Sequence, residues 1–127
     1  MKLLAIDPSF VGSGITTYEN GVYNYYIIKT DKQSKNSNDI IRRIIEIKKE
    51  LYIIINRFNP DYVIIEGPSF GSRSSSLVQM GALNYSIREM LLDEGIKFIV
   101  SPPTVVKKYW TGKGNANKQL MIEQAYD

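Results

Sequence analysis

The chain has 127 residues, 43% of them hydrophobic, and a net charge of +3, which predicts one globular domain with a proper core. It contains no cysteine and no histidine, so disulfides, thiolate zinc sites and histidine-dependent serine or cysteine catalysis are excluded. No apolar run reaches transmembrane length, and the stretch between Lys2 and Asp7 is too short for a signal peptide. We therefore expect a cytoplasmic protein that does not associate with a membrane.

The first part of the chain has the pattern of a strand followed by a hairpin. Residues 2–6 form a largely apolar run, typical of a strand buried on both faces, and Asp7 follows it directly. Residues 12–18 and 22–28 are rich in β-branched and aromatic side chains, and Asn20-Gly21 between them is a strong hairpin signal. The chain up to residue 28 is therefore predicted to form an antiparallel meander.

A polar loop and a long helix are predicted next. Residues 30–38 are polar throughout and indicate a mobile loop. Apolar side chains then recur at helical spacing, at Ile40, Ile44, Ile47, Leu51, Ile55 and Phe58. Charged side chains are expected to fill the opposite, outward face of this helix: Arg42, Arg43, Glu46, Lys49 and Glu50. Asn59-Pro60 ends the helix.

The rest of the chain alternates strands and helices. Residues 61–66 predict strand four, and a second helix begins among Ser74, Ser75 and Ser76 and stops at Gly95. The apolar stripe of that helix is assigned to the core: Met80, Leu83, Ile87 and Leu91. Residues 97–100 predict strand five, and residues 115–126 predict a third helix.

This order of elements is that of the ribonuclease H-like fold, an α/β fold. We expect a mixed five-stranded sheet with flanking helices, in which a three-strand antiparallel meander continues into two parallel strands. The first strand would lie centrally, beside the fourth. That adjacency would place Asp7 and Glu66 next to each other.

Strands one and four each run directly into a carboxylate, Asp7 in one case and Glu66 in the other. Ligands gather at the carboxyl ends of strands in open α/β sheets, so two acids at such ends predict a divalent-metal site. Carboxylates are hard oxygen ligands that suit Mg²⁺ or Mn²⁺. The alternative is that each acid separately caps a neighbouring helix or turn, and the residues alone leave this open.

A basic segment, residues 107–118, contains lysines and aromatic side chains but no acid. Such a mixture can hold phosphates while stacking on unpaired bases, which predicts nucleic-acid binding. The residues proposed for this role are Lys107, Lys108, Tyr109, Lys113 and Lys118. The alternative is a solvated lysine-rich loop.

Several motifs follow one another along the chain. They are Ile6-Asp7-Pro8-Ser9 with Gly12-Ser13-Gly14, then Ile64-Ile65-Glu66, then Val106-Lys107 with Gly112, Gly114 and Lys118. In this order and at these separations they resemble the RuvC family of Holliday junction resolvases, especially its small phage relatives, over essentially the whole chain. Each motif alone is weak, because similar Ile-Asp-Pro starts also occur in actin-like ATPases.

The resemblance implies a homodimeric, structure-selective DNA endonuclease that cuts four-way or other branched DNA in recombination, repair or phage DNA processing. It implies that Asp7 and Glu66 are catalytic ligands for Mg²⁺ or Mn²⁺, with two ions in a complete site. Lys107 and Lys118 would act near the scissile phosphate, where a lysine stabilises developing charge as a point cation.

The chain departs from the family pattern in two places. Phe70 stands one position later than the residue that the family uses as a wedge. We expect Phe70 and Arg73 to contact DNA in a junction-probing loop. The alternative is that Phe70 packs on the second helix as a hydrophobic staple. The family also completes its metal site with an Asp-x-x-Asp pair on a later helix, for which Glu123 and Asp127 are poor substitutes. We therefore expect residues 1–127 to form a single nuclease domain without that last catalytic helix.

Other functions compete with junction cleavage. One is a branched-DNA-binding module that has lost catalysis, and another is a related ribonuclease H-like enzyme that acts on RNA. An actin-like nucleotide-binding protein is the weakest alternative, because 127 residues supply only one of the two lobes that such proteins close around ATP.

Overall fold

The computed structural model describes residues 1–68 and 75–102. In chain order the elements are β1 (Lys2–Asp7), β2 (Ser13–Glu19), β3 (Val22–Ile28), α1 (Asn38–Phe58), β4 (Tyr62–Glu66), α2 (Ser75–Asp93) and β5 (Phe98–Ser101). Every element predicted before residue 102 is confirmed, with ends that shift by one or two residues. The predicted third helix, residues 115–126, lies outside the described residues.

The strands form a single five-stranded sheet in the order β3-β2-β1-β4-β5. β2 is antiparallel to both β1 and β3, whereas β4 is parallel to β1 and β5 is parallel to β4. The β2–β3 hairpin turns at Asn20 and Gly21, whose φ angles of 50° and 79° are both positive, as a two-residue hairpin turn of this hand requires. The predicted mixed sheet, with β1 beside β4, is therefore confirmed.

The core lies between one face of the sheet and the two described helices. Alternate residues of β1 and β4, such as Leu4 and Ile65, cluster there with Leu51 of α1 and Leu83 of α2. The residues between them on β1 and β4 are buried as well: Leu3, Ala5 and Ile64. The central strands are therefore buried on both faces, which explains their continuous apolar sequence. Neither described helix is long and apolar enough to cross a membrane.

The polar segment between β3 and α1 differs from its prediction at both ends. Residues 31–37 are exposed, as expected for a loop, but Asn38 already belongs to α1. Thr30 is buried, because its hydroxyl donates a hydrogen bond to the Phe10 carbonyl oxygen across the structure. The polar composition therefore predicted the loop correctly but not the anchoring of its first residue.

Candidate active site at the ends of two parallel strands

Asp7 and Glu66 end the two central parallel strands, β1 and β4. The register pairs Ala5 with Ile64 and Ile6 with Ile65, so the next step brings Asp7 and Glu66 level with each other. Neighbouring strands are about 4.8 Å apart. The structure therefore places these two acids side by side, as the sequence predicts.

Both carboxylates project from the sheet face opposite the two described helices. Side chains alternate along a strand, so Asp7 shares a face with Ala5, and Glu66 shares that face with Ile64. Glu66 is 5% exposed, whereas Asp7 is partly open to solvent. Two neighbouring carboxylates, one of them buried, repel each other unless a cation lies between them. An all-oxygen donor set of this kind fits Mg²⁺ or Mn²⁺.

The turn that follows Asp7 is closed by two serines. The Ser9 N–H donates to Ser13 Oγ at 2.9 Å, and the Ser13 hydroxyl donates back to the Ser9 carbonyl oxygen at 2.6 Å. Ser13 is fully buried. Because Ser13 begins β2, this pair ties the exit from Asp7 to the neighbouring strand.

The chain is similar to known proteins over most of its length. The family model described as crossover junction endodeoxyribonuclease RuvC matches residues 3–124. The chain belongs to the RuvC family. The RuvC of Caldicellulosiruptor saccharolyticus is 31% identical over 124 residues, which cover 93% of this chain and 72% of the relative. The RuvC of Petrotoga mobilis is 27% identical and is matched over 93% of this chain and 73% of its own length.

A solved structure supports the fold. T. thermophilus RuvC in complex with Holliday junction substrate superposes with a TM-score of 0.67 over 86% of this chain and 69% of that chain, at 18% sequence identity. At this identity the likeness concerns the fold alone. It confirms the ribonuclease H-like architecture that the order of elements predicts.

In this RuvC-family chain, α2 and β5 hold the backbone at Glu66 and the residue after it. The Asn84 side-chain amide donates to the Glu66 carbonyl oxygen at 2.7 Å, and the Gly67 N–H donates to the Ser101 carbonyl oxygen at 2.8 Å. Asn84 is 2% exposed, and its Oδ1 atom accepts no hydrogen bond within the described part of the chain. Sequence reasoning missed Asn84, although a lone polar residue four positions after Met80, on an apolar stripe, was a usable signal.

Replacing Asn84 by alanine is expected to lower the free energy of unfolding by about 1–3 kcal/mol, because the buried Glu66 carbonyl oxygen loses its side-chain donor. Asn56→Ala, on the exposed side of α1, is the matched control and should change stability little. Denaturant unfolding of the two variants measures the difference. Equal denaturation midpoints for Asn84→Ala and Asn56→Ala would show that the hydrogen bond from Asn84 contributes nothing to stability.

Arg43 of α1 holds the turn after Asp7 from the other side. Its Nε donates to Thr30 Oγ1 at 2.8 Å, and its Nη2 lies 3.2 Å from the carbonyl oxygens of both Phe10 and Thr30. The guanidinium carbon is also 5.3 Å from the centre of the Phe10 ring. Arg43 is only 7% exposed, and no carboxylate among residues 1–68 and 75–102 lies within 4 Å of its guanidinium.

The assignment of Arg43 to the outward face of α1 is therefore wrong. Arg43 lies three positions after Ile40 and four before Ile47, so helical geometry puts it on the apolar side. The sequence prediction placed Arg42 and Arg43 together on the outward face because both are charged. The spacing was the signal that could have separated the two arginines.

Arg42 has a different environment, which makes it a useful comparison for Arg43. It is partly exposed and pairs with Asp39 and Glu46, each at 2.9 Å. Burial acts to raise the pKa of Asp39, but hydrogen bonds from Arg42 and from the Gln33 N–H, with the charges of Arg42 and Arg43, hold that pKa below its ordinary value. Asp39 therefore stays ionised at neutral pH beside the start of α1.

Several predicted site residues cannot be placed in this arrangement. Lying outside the described residues are Phe70, Arg73, Lys107, Lys108, Tyr109, Lys113, Lys118, Glu123 and Asp127. Their DNA-binding and catalytic roles stay predictions from the sequence. Within residues 1–68 and 75–102, no third acidic side chain joins Asp7 and Glu66 to form a larger metal-binding group.

Proposed function

We propose that this RuvC-family chain is a structure-selective DNA endonuclease that resolves Holliday junctions or other branched DNA by metal-dependent hydrolysis of phosphodiester bonds. The observation that carries the proposal is the alignment of Asp7 and Glu66 at the ends of adjacent parallel strands. Membership of a family of crossover junction endodeoxyribonucleases supports the same substrate class. Its setting would be recombination, repair or phage DNA processing in the cytoplasm of a bacterium or an infected host.

Asp7 and Glu66 would bind Mg²⁺ or Mn²⁺, two ions in a complete site, and such ions when bound activate water and stabilise the leaving oxygen. Glu66 is nearly buried and its backbone is held by Asn84, so its carboxylate is oriented before substrate arrives. Asp7 is more open and is followed by a turn that Ser13 holds. It therefore faces the side from which a phosphate can approach.

The basic segment, residues 107–118, would complete the DNA contact. Lys107 and Lys118 would stabilise charge at the scissile phosphate, while Lys108, Lys113 and Tyr109 would bind the flanking strand. Phe70 and Arg73 would probe the branch point. These roles follow from the family motifs and the residue types.

A homodimer is part of the proposal, because symmetric cutting of a four-way junction needs two active sites. The outward side of α2 carries a line of exposed apolar residues at seven-residue spacing, Val78, Tyr85 and Leu92, with exposures of 72%, 64% and 74%. A surface of this kind is typical of helix–helix contact between subunits. Sedimentation of the protein alone and with junction DNA measures the stoichiometry.

The test uses the protein with whatever its reading frame encodes beyond Asp127. It is incubated with a four-way DNA junction, a linear duplex of the same sequence and an RNA duplex, in Mg²⁺, in Mn²⁺ or in EDTA. We expect paired nicks in the junction only, and only with metal. Tight junction binding without cleavage would favour the binding module, and preferential cutting of RNA would favour the RNA nuclease.

A further inference from the structure

The sheet face that bears Asp7 and Glu66 continues across β2 to the edge strand β3. Asp7 pairs with Gly14, Gly14 pairs with Ile27, and Thr16 pairs with Tyr25. Paired residues and their second neighbours share a face, so Tyr25 and Ile27 are on the same side of the sheet as the two carboxylates. Their exposures are 52% and 51%. The exposed side chains of Tyr25 and Ile27 therefore lie on the face of the candidate site, separated from Asp7 by the buried Gly14 and Thr16 of β2.

The Tyr25 side chain lies over Gly14, the β2 residue that pairs with Asp7. A Cβ atom placed on Gly14 would lie only 2.9 Å from the Tyr25 hydroxyl oxygen and 3.5 Å from Cε2 of its ring. The phenol end therefore occupies the space that a side chain at position 14 would fill. Gly14 pairs directly with Asp7, so the hydroxyl lies over the residue next to Asp7 on the neighbouring strand.

We infer that Tyr25 is a DNA-contacting residue of this active site: its hydroxyl donates a hydrogen bond to a backbone phosphate of the strand bound at Asp7 and Glu66. This inference rests on the proposed function. A phenol hydroxyl is a hydrogen-bond donor, so it can hold a phosphate close to the two carboxylates. The exposed ring, with Ile27 beside it, offers an apolar surface to the sugar.

Gly14 makes the position of the Tyr25 hydroxyl possible. Any side chain at position 14 would displace the Tyr25 hydroxyl from its place over Gly14, because a separation of 2.9 Å is shorter than a carbon–oxygen contact allows. This close approach gives the second glycine of the Gly12-Ser13-Gly14 motif a physical role.

The test compares Tyr25→Phe with Tyr26→Phe. The first variant removes only the hydroxyl and keeps the ring over Gly14, while the second makes the same change at the adjacent residue, which is 44% exposed on the opposite face. We expect Tyr25→Phe to lower the single-turnover rate of junction cleavage about tenfold, the effect of one hydrogen bond to a charged group. Tyr26→Phe should stay within about twofold of the parent.

A cross-linking experiment separates this inference from the proposed function. Junctions carrying 5-iodouracil near the branch point are irradiated with the Asp7→Asn protein, in which the DNA stays intact, and modified residues are mapped by mass spectrometry. We expect adducts at Tyr25 and none at Tyr26. If Tyr25→Phe and Tyr26→Phe behave alike and no adduct forms at Tyr25, the inference is wrong. If Asp7→Asn still cleaves, the assignment of Asp7 to the proposed metal site is wrong. The mapped adducts then still show whether Tyr25 contacts DNA.

Discussion

Asp7→Asn and Glu66→Gln should each abolish junction cleavage, by at least about a thousandfold, while the fold persists and junction binding is unchanged or stronger. Each change replaces one oxygen of the proposed metal-ligand pair at the ends of β1 and β4. It also removes a negative charge that repels the phosphate backbone, which explains why binding should not weaken. Neither substitution alters side-chain size, so thermal unfolding should stay close to that of the parent.

The measurement is single-turnover cleavage of a four-way junction together with the dissociation constant of the junction complex, in the protein with whatever its reading frame encodes beyond Asp127. Glu89→Gln is the matched control, since this carboxylate is exposed on α2 and, among residues 1–68 and 75–102, pairs only with Lys48 at 3.3 Å. The control should cleave like the parent. Near-parental cleavage by either the Asp7 or the Glu66 variant would remove that residue from the site.

Arg43→Met should lower the free energy of unfolding by about 3 kcal/mol, the largest stability change expected among the residues around the site. Methionine keeps the aliphatic stem but leaves the buried oxygens of Thr30 without the donors that Arg43 supplies. The turn after Asp7 also loses the contact to the Phe10 carbonyl oxygen. We therefore expect the variant to require more Mg²⁺ for half-maximal cleavage.

Arg42→Met is the control for Arg43→Met, because it removes the same charge one residue away, from partly exposed ion pairs on the outer side of α1. Exposed ion pairs contribute little, so its loss of stability should be clearly smaller. Denaturant unfolding and a Mg²⁺ titration of cleavage measure both effects. Equal losses of stability in the two variants would contradict a special role for Arg43.

The local pattern of residues determined most of the fold. Apolar runs before Asp7 and Glu66 predict strands buried on both faces, and Asn20-Gly21 predicts the hairpin. The spacing of isoleucines from Ile40 predicts the long helix α1. These signals depend on backbone preferences and side-chain periodicity over a few residues, which a sequence displays directly. The order of elements then predicts the neighbouring positions of the two acids.

Only the tertiary structure decided which polar residues support the site. Arg43 contacts Thr30 and Phe10 across 13 and 33 positions of sequence, and Asn84 contacts Glu66 across 18. The approach of Tyr25 to Gly14 depends on the register of two strands and on the missing side chain between them. Residue type does not say which distant group a buried polar side chain will meet, because that partner is set by how the elements pack.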